Sequence, residues 1–178
     1  MEIQSLPSAF DAAEWFLNTA SDDGEYLQPM KMQYLMFLAQ GYYAAVTHGK
    51  RFFPAVFIAT DRGPVEPNTF CVYAAARPKF ERAGLSRGTV SFLETIWRRF
   101  GAYSANGLFR ILAEQAPYVH AFGIGENCEI SLEEMAVFYA GKAESSPVEK
   151  AAGLTGLRVM RTQSGKTVTV KKWIPAKK

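Results

Sequence analysis

Cysteine and histidine are scarce in this chain, at two residues each among 178. Cys71 and Cys128 lie far apart with no close partner, which argues against a disulfide scaffold or a zinc knuckle and fits a reducing compartment. Both are read as small buried hydrophobes. His48 is expected at a solvated helix end and His120 in a partly buried position. Neither has a second ligand at metal spacing, so no metal or other cofactor is expected. Met1-Glu2-Ile3-Gln4 carries no basic n-region and no apolar h-region follows it. A charge-free apolar run of the roughly 20 residues a membrane span requires is also missing. The expectation is a cytoplasmic protein without a membrane partner. There is no internal repeat and no low-complexity run.

Complete catalytic motifs are missing too. Ser164-Gly165-Lys166-Thr167 imitates the end of a phosphate-binding loop, but Met160 stands where the motif needs glycine, and an alternating run follows where it needs a helix. Gly123-Ile124-Gly125 opens a dinucleotide fingerprint that Cys128 breaks at the last glycine, with no strand ahead of it. Glu133-Glu134 and Asp22-Asp23 read as first-turn and loop carboxylates rather than an acid–base pair. No Ser/His/Asp or Cys/His set stands out. The chain does not read as an enzyme.

Apolar residues, by contrast, are plentiful, at 48% of the chain with thirteen phenylalanines. They are densest from Met30 to Val46, about seventeen residues that would span roughly 26 Å as a helix. Pro29 suits the first helical position, and Leu27 and Met32 fall where a hydrophobic staple would form. This segment is apolar on nearly every face, the pattern of a buried helix. Lys31, Gln33 and Gln40 are its only strongly polar members. It is read as the central core helix, with Tyr34, Phe37, Tyr42 and Tyr43 as core residues.

Around it the pattern predicts a mainly α (α+β) body over 1–141. Ser8 with Asp11 caps a helix carrying Phe10, Ala13, Phe16, Leu17 and Ala20, and Ser21 to Gly24 stops it. Ala55 to Thr60 is a strand or extended segment, and Asp61 to Pro67 a sharp loop in which Pro64 drives Gly63 out of the α region. Asn68 to Ala76 is helical. After a polar connector from Lys79 to Gly88, Val90 to Phe100 forms an amphipathic helix with Gly101 as its C′ residue. Ser104 caps a helix stopped by Pro117. Ser131 with Glu134 forms a capping box for Leu132 to Ala140, Ile130 and Met135 sit in staple positions, and Gly141 closes the helix.

The net charge of +3 conceals a division. Residues 1–140 hold eleven Lys and Arg against fifteen Asp and Glu; residues 141–178 hold nine against two. Residues 142–178 read as a linker with one helical turn near Val148 to Ala152, followed by a basic β-hairpin arm. Its strands are Leu157 to Arg161 and Thr167 to Lys171. Lys171, Lys172, Trp173 and Ile174 form its basic and apolar end. Such asymmetry points to an anionic partner, protein or nucleic acid. A nucleic-acid role is less favoured, because Trp173 alone interleaves an aromatic ring with the basic residues.

Three stretches in order resemble the Panacea-domain (SocA-like) family. Met30-Lys31-Met32-Gln33-Tyr34-Leu35-Met36-Phe37-Leu38-Ala39-Gln40-Gly41-Tyr42-Tyr43 resembles its signature helix, and Arg62-Gly63-Pro64-Val65-Glu66-Pro67-Asn68-Thr69-Phe70 its Gly-Pro-Val loop. Phe100-Gly101-Ala102-Tyr103-Ser104-Ala105-Asn106-Gly107-Leu108 followed by Ala116-Pro117-Tyr118 is similar to its third conserved segment. The likeness spans about residues 8–140. Arg62 stands for the family's usual tyrosine, Ala113-Glu114 for Thr-His, and Tyr118 for tryptophan. The resemblance implies a mostly helical antitoxin with a short β element that binds a cognate protein toxin and delivers it, as a proteolytic adaptor, to the ClpXP protease. Arg62, Gly63, Pro64, Val65 and Tyr118 are then the candidate toxin contacts. Lys171, Lys172, Trp173 and Ile174 are the candidate tether. A sequestering antitoxin, a nucleic-acid-binding accessory protein and a plain helical scaffold remain alternatives.

Overall fold

A computed structural model describes residues 3–76, 78, 84–143, 157–161 and 167–171. Seven helices are described, α1 (Ala9–Asp22), α2 (Pro29–Val46), α3 (Pro67–Ala75), α4 (Arg87–Phe100), α5 (Ala105–Ala113), α6 (Ala116–Ile124) and α7 (Leu132–Ala143). With them come an antiparallel pair of short strands, β1 (Ile58–Thr60) and β2 (Gly63–Val65), and a second pair, β3 (Leu157–Arg161) and β4 (Thr167–Lys171). The protein is mainly α with a small β element, as its patterning predicts. No helix among the described residues is long and apolar enough to cross a membrane.

Helix α2 is the axis. Every residue from Lys31 to Ala44 is buried, and Pro29 occupies its first turn. Its three polar side chains each hold a different segment. The Lys31 ammonium donates to the Gly101 carbonyl at 2.6 Å, with Glu25 at 3.7 Å and the Trp97 ring beneath it. Gln33 accepts from the Glu66 N–H at 2.8 Å and donates to Thr69 Oγ1 at 3.0 Å. Gln40 Oε1 accepts from the Phe52 and Phe53 N–H groups at 3.1 and 3.3 Å. A buried polar group left without a partner costs about 1–3 kcal/mol, so these residues are tolerated in the core only because each is satisfied.

The other wall of the core is α7, which packs along α2. A Cβ at Gly41 would lie 2.2 Å from Tyr139 Cε2. The fully buried Tyr139 ring therefore fills the space that glycine leaves, and its O–H donates to Gln115 Oε1. Tyr42 and Phe37 flank that ring.

Several expected elements hold. Ser8 and Asp11 form the complete capping box, Ser104 caps α5, and β3 and β4 pair from Leu157↔Lys171 to Arg161↔Thr167. Leu27, Met32, Ile130 and Met135 are all buried, as stapling residues would be. Tyr34, Phe37, Tyr42 and Tyr43 are core residues.

Others differ. Asp61 to Pro67 is not a loop throughout. Gly63–Val65 pairs with Ile58–Thr60, and Gly63 takes φ +108, a conformation suited to glycine. Only Ile58–Thr60 of the expected 55–60 strand enters a ladder. Its other edge is met by 127–130, with Ala59 N–H donating to the Cys128 carbonyl at 2.9 Å. Pro67 opens α3, as a proline suits the first helical position, but that helix ends at Ala75 instead of Ala76, and α4 begins three residues earlier than its apolar stripe, at Arg87. Gly101 is right-handed rather than left-handed at the end of α4. It is required there because a Cβ would meet the Trp97 carbonyl and ring. Pro117 does not merely end α5; it sits in the first turn of α6, a helix the sequence reading omits. Helix α7 continues past Gly141 to Ala143, two residues into the expected linker. Cys71 is exposed and Cys128 half-buried, not core residues. The expected turn near Val148 to Ala152 lies outside the described residues, as do Lys172, Trp173 and Ile174.

Candidate functional site

The β1–β2 hairpin is clamped from three helices. Tyr34 of α2 donates its O–H to the Arg62 carbonyl, and Tyr118 of α6 donates to the Thr60 carbonyl at 2.7 Å. Gly63 lies so close to the Tyr34 and Phe109 rings that a Cβ would meet them at 2.9 and 3.1 Å. Within the turn, Thr60 Oγ1 donates to the Gly63 carbonyl and accepts from the Arg62 N–H. Both phenols stay protonated. Burial, with a smaller push from Tyr118, raises Tyr34 to about 12 against a smaller lowering by Arg62. Burial and then Asp61 raise Tyr118. Neutral phenols aimed at backbone carbonyls hold a turn and supply no base near neutral pH.

This geometry divides the candidate toxin contacts. Gly63, Pro64, Val65 and Tyr118 are buried, and Arg62 is exposed together with its neighbour Asp61. The first four shape the hairpin; the tip alone faces solvent. Lys171 ends β4, within the second hairpin.

Beside the hairpin lies a surface that sequence reading did not find. The Tyr118 ring stacks on Phe122, with centroids 5.6 Å apart and planes at 11°. Phe122 opens onto the outer face of α6. Pro117, Tyr118 and Ala121 face the core, while Ala116, Val119, His120, Phe122, Gly123 and Ile124 face outward. At 100° per residue these form one continuous arc, and His120 is its only strongly polar member. A helix apolar on all sides is normally buried. Here Ile124 is 70% exposed, and Val137 on neighbouring α7 is 71% exposed. A lone exposed apolar residue is ordinary, but contiguous ones mark contact surfaces.

Between α6 and α7 runs an open groove of about 690 Å³, lined by Pro117, His120, Glu133, Glu134, Val137 and Phe138 among others. His120, expected to be partly buried, is exposed on its rim, with Nδ1 2.8 Å from Glu134 Oε1. The Glu134 N–H donates to Ser131 Oγ, so the Ser131 half of the capping box expected for α7 is present, while the Glu134 carboxylate faces α6 and meets His120 instead of closing the box. Among the described residues no three His, Cys, Asp or Glu side chains gather as a metal-binding group. No protein-family model, curated protein or solved structure matches this chain.

Proposed function

We propose that this chain is an antitoxin that acts by protein contact, not by catalysis. The observation that carries this reading is the outward face of α6, where Ala116, Val119, Phe122, Gly123 and Ile124 are exposed on one arc with His120 as its only strongly polar member, and where Phe122 stacks on the Tyr118 ring that holds the hairpin. A partner protein that covers this face would remove Val119, Phe122 and Ile124 from water, worth about 25 cal/mol per Å² of apolar surface buried. The resemblance of residues 8–140 to Panacea-domain antitoxins supports a protein toxin as that partner. In the adaptor form of the proposal, the body holds the toxin and the basic chain beyond Ala143 makes a second contact, with the ClpXP protease. Two linked contacts raise the toxin's effective concentration at the protease without either being tight.

Toxin turnover in vitro tests this. The candidate toxin, ClpXP and ATP are combined with the full chain or with residues 1–143, cut where α7 ends. Faster degradation with the full chain, and toxin binding without acceleration by the shortened chain, is the expected result. Tight binding by both with no change in turnover replaces delivery by sequestration. No toxin binding by either refutes the antitoxin reading for that pair.

A further inference from the structure

We infer that the α6–α7 groove takes a cationic amphipathic segment of a partner protein, with apolar side chains against Val137 and Phe138 and lysines or arginines toward Glu133 and Glu134. The inference rests on the protein-binding reading and specifies the chemistry of the partner's docking segment.

Charge decides among the possible occupants. Residues 114–143, which run from just before α6 to the end of α7, contain five glutamates (Glu114, Glu126, Glu129, Glu133 and Glu134) against one basic residue, Lys142 in the last turn of α7. Glu114, Glu126, Glu129 and Glu133 are exposed, and Glu134 reaches into the groove toward His120. Of these, Glu133 and Glu134 line the groove beside Val137 and Phe138, while Glu114, Glu126 and Glu129 lie on the segments that flank α6. A second copy would bring two such sets of carboxylates face to face, and a nucleic acid or an anionic lipid surface would be repelled by them. A segment with an apolar face and basic flanks satisfies both features: the face enters the groove, as in helix-in-groove recognition, while opposite charges steer it in.

The test titrates the full chain with a labelled synthetic amphipathic helix of leucine and lysine, followed by fluorescence anisotropy, beside a leucine–glutamate counterpart. The leucine–lysine helix should bind and the leucine–glutamate helix should not. Val137→Lys and Glu133→Lys, both on exposed positions, should each weaken binding by about tenfold, the loss expected for a disrupted anchor or charge contact. Asp22→Lys, at the end of α1, should leave it unchanged. Circular-dichroism melting checks each fold, and Val137→Gln, which adds no charge, replaces Val137→Lys if that variant melts early. Equal binding of the two helices, or groove variants behaving like Asp22→Lys, overturns the inference. So does a dimer in sedimentation that Val137→Lys dissociates, which assigns the groove to a second copy. A gain of about tenfold or more in peptide affinity on joint Lys171→Glu and Lys172→Glu substitution assigns it to the chain's own arm and overturns it as well. Toxin binding is scored separately. Toxin capture that the leucine–lysine helix cannot compete away refutes the groove and spares the antitoxin reading; peptide bound in the groove with no toxin captured does the reverse.

Discussion

Substituting Gly41→Ala puts a methyl group where Tyr139 already is. The added carbon would sit 2.2 Å from Cε2 and 2.4 Å from Cδ2 of that ring. Ordinary carbon–carbon contact lies near 3.5 Å, so the ring must retreat by more than about 1 Å. It has little room to do so, because Tyr42 lies 4.7 Å away between centroids and the phenol is fixed on Gln115. Overpacking of this kind costs about 1–3 kcal/mol, and a strained or broken phenol hydrogen bond about 1 kcal/mol more. Alanine's better helix propensity offsets about 1 kcal/mol of that. The net expectation is a loss of about 2 kcal/mol, and for a chain of this length a melting temperature lower by about 4–8 °C. Thermal unfolding followed by circular dichroism measures it. Repeating the substitution in a Tyr139→Leu background isolates the cause. With the ring gone, Gly41→Ala should be neutral or stabilising, by up to about 1 kcal/mol. A Gly41→Ala variant that melts at or above the parent temperature would refute the close packing of α2 on α7.

Gln40→Leu keeps the side chain's bulk but strips the acceptor from the buried Phe52 and Phe53 amides; urea unfolding should show a loss of about 2–4 kcal/mol, and a loss below 1 would count against those bonds. Gly63→Ala places a side chain at φ +108 and against Tyr34, so the same assay should show about 2 kcal/mol lost, whereas an unchanged midpoint would contradict the clamped hairpin. Alkali is the third lever. Tyr34, raised to about 12 chiefly by burial, and Tyr73, raised by burial and its hydrogen bond to Glu14, stay protonated in the fold after an unfolded phenol has ionised. Their contribution is complete below pH 10 and falls as pH rises through 10 toward 12, at about 1.4 kcal/mol per unit for each group. The Tyr34 and Tyr73 phenolates should therefore add to the ultraviolet absorbance only as the fold opens in circular dichroism; their ionisation near pH 10, ahead of unfolding, would argue that those phenols are open to solvent.

What the sequence disclosed depended on how locally each element is determined. Helix α2 was legible because its all-round apolarity and Pro29 are both local signals, and the Ser8 and Ser104 caps were legible for the same reason. Gly63-Pro64-Val65 reads as a loop because glycine and proline punctuate chains. Tyr34, Phe109 and Tyr118, from three distant segments, make a strand of it. Helix α6 escaped because Pro117 serves equally as a stop or as a first-turn residue, and nine nearly all-apolar residues have no period to detect. The gap at Gly41 that Tyr139 fills cannot be read from either helix alone. The candidate site fared similarly: the hairpin residues were found, but four of the five named contacts support the tip from within. The exposed α6 face had no sequence signal that separates it from a buried helix.

Lys31, Gln33 and Gln40 tie Gly101, the start of α3 and the Phe52-Phe53 turn to a single helix. None of these loops can lift away without stranding a buried α2 side chain, so partial openings there are suppressed. In native-state hydrogen exchange, the Phe52 and Glu66 amides should behave like the middle of α2 and exchange only when the whole body unfolds. The body would then have no intermediate step in which a protease could nick those turns, and its lifetime would be set by one global unfolding event.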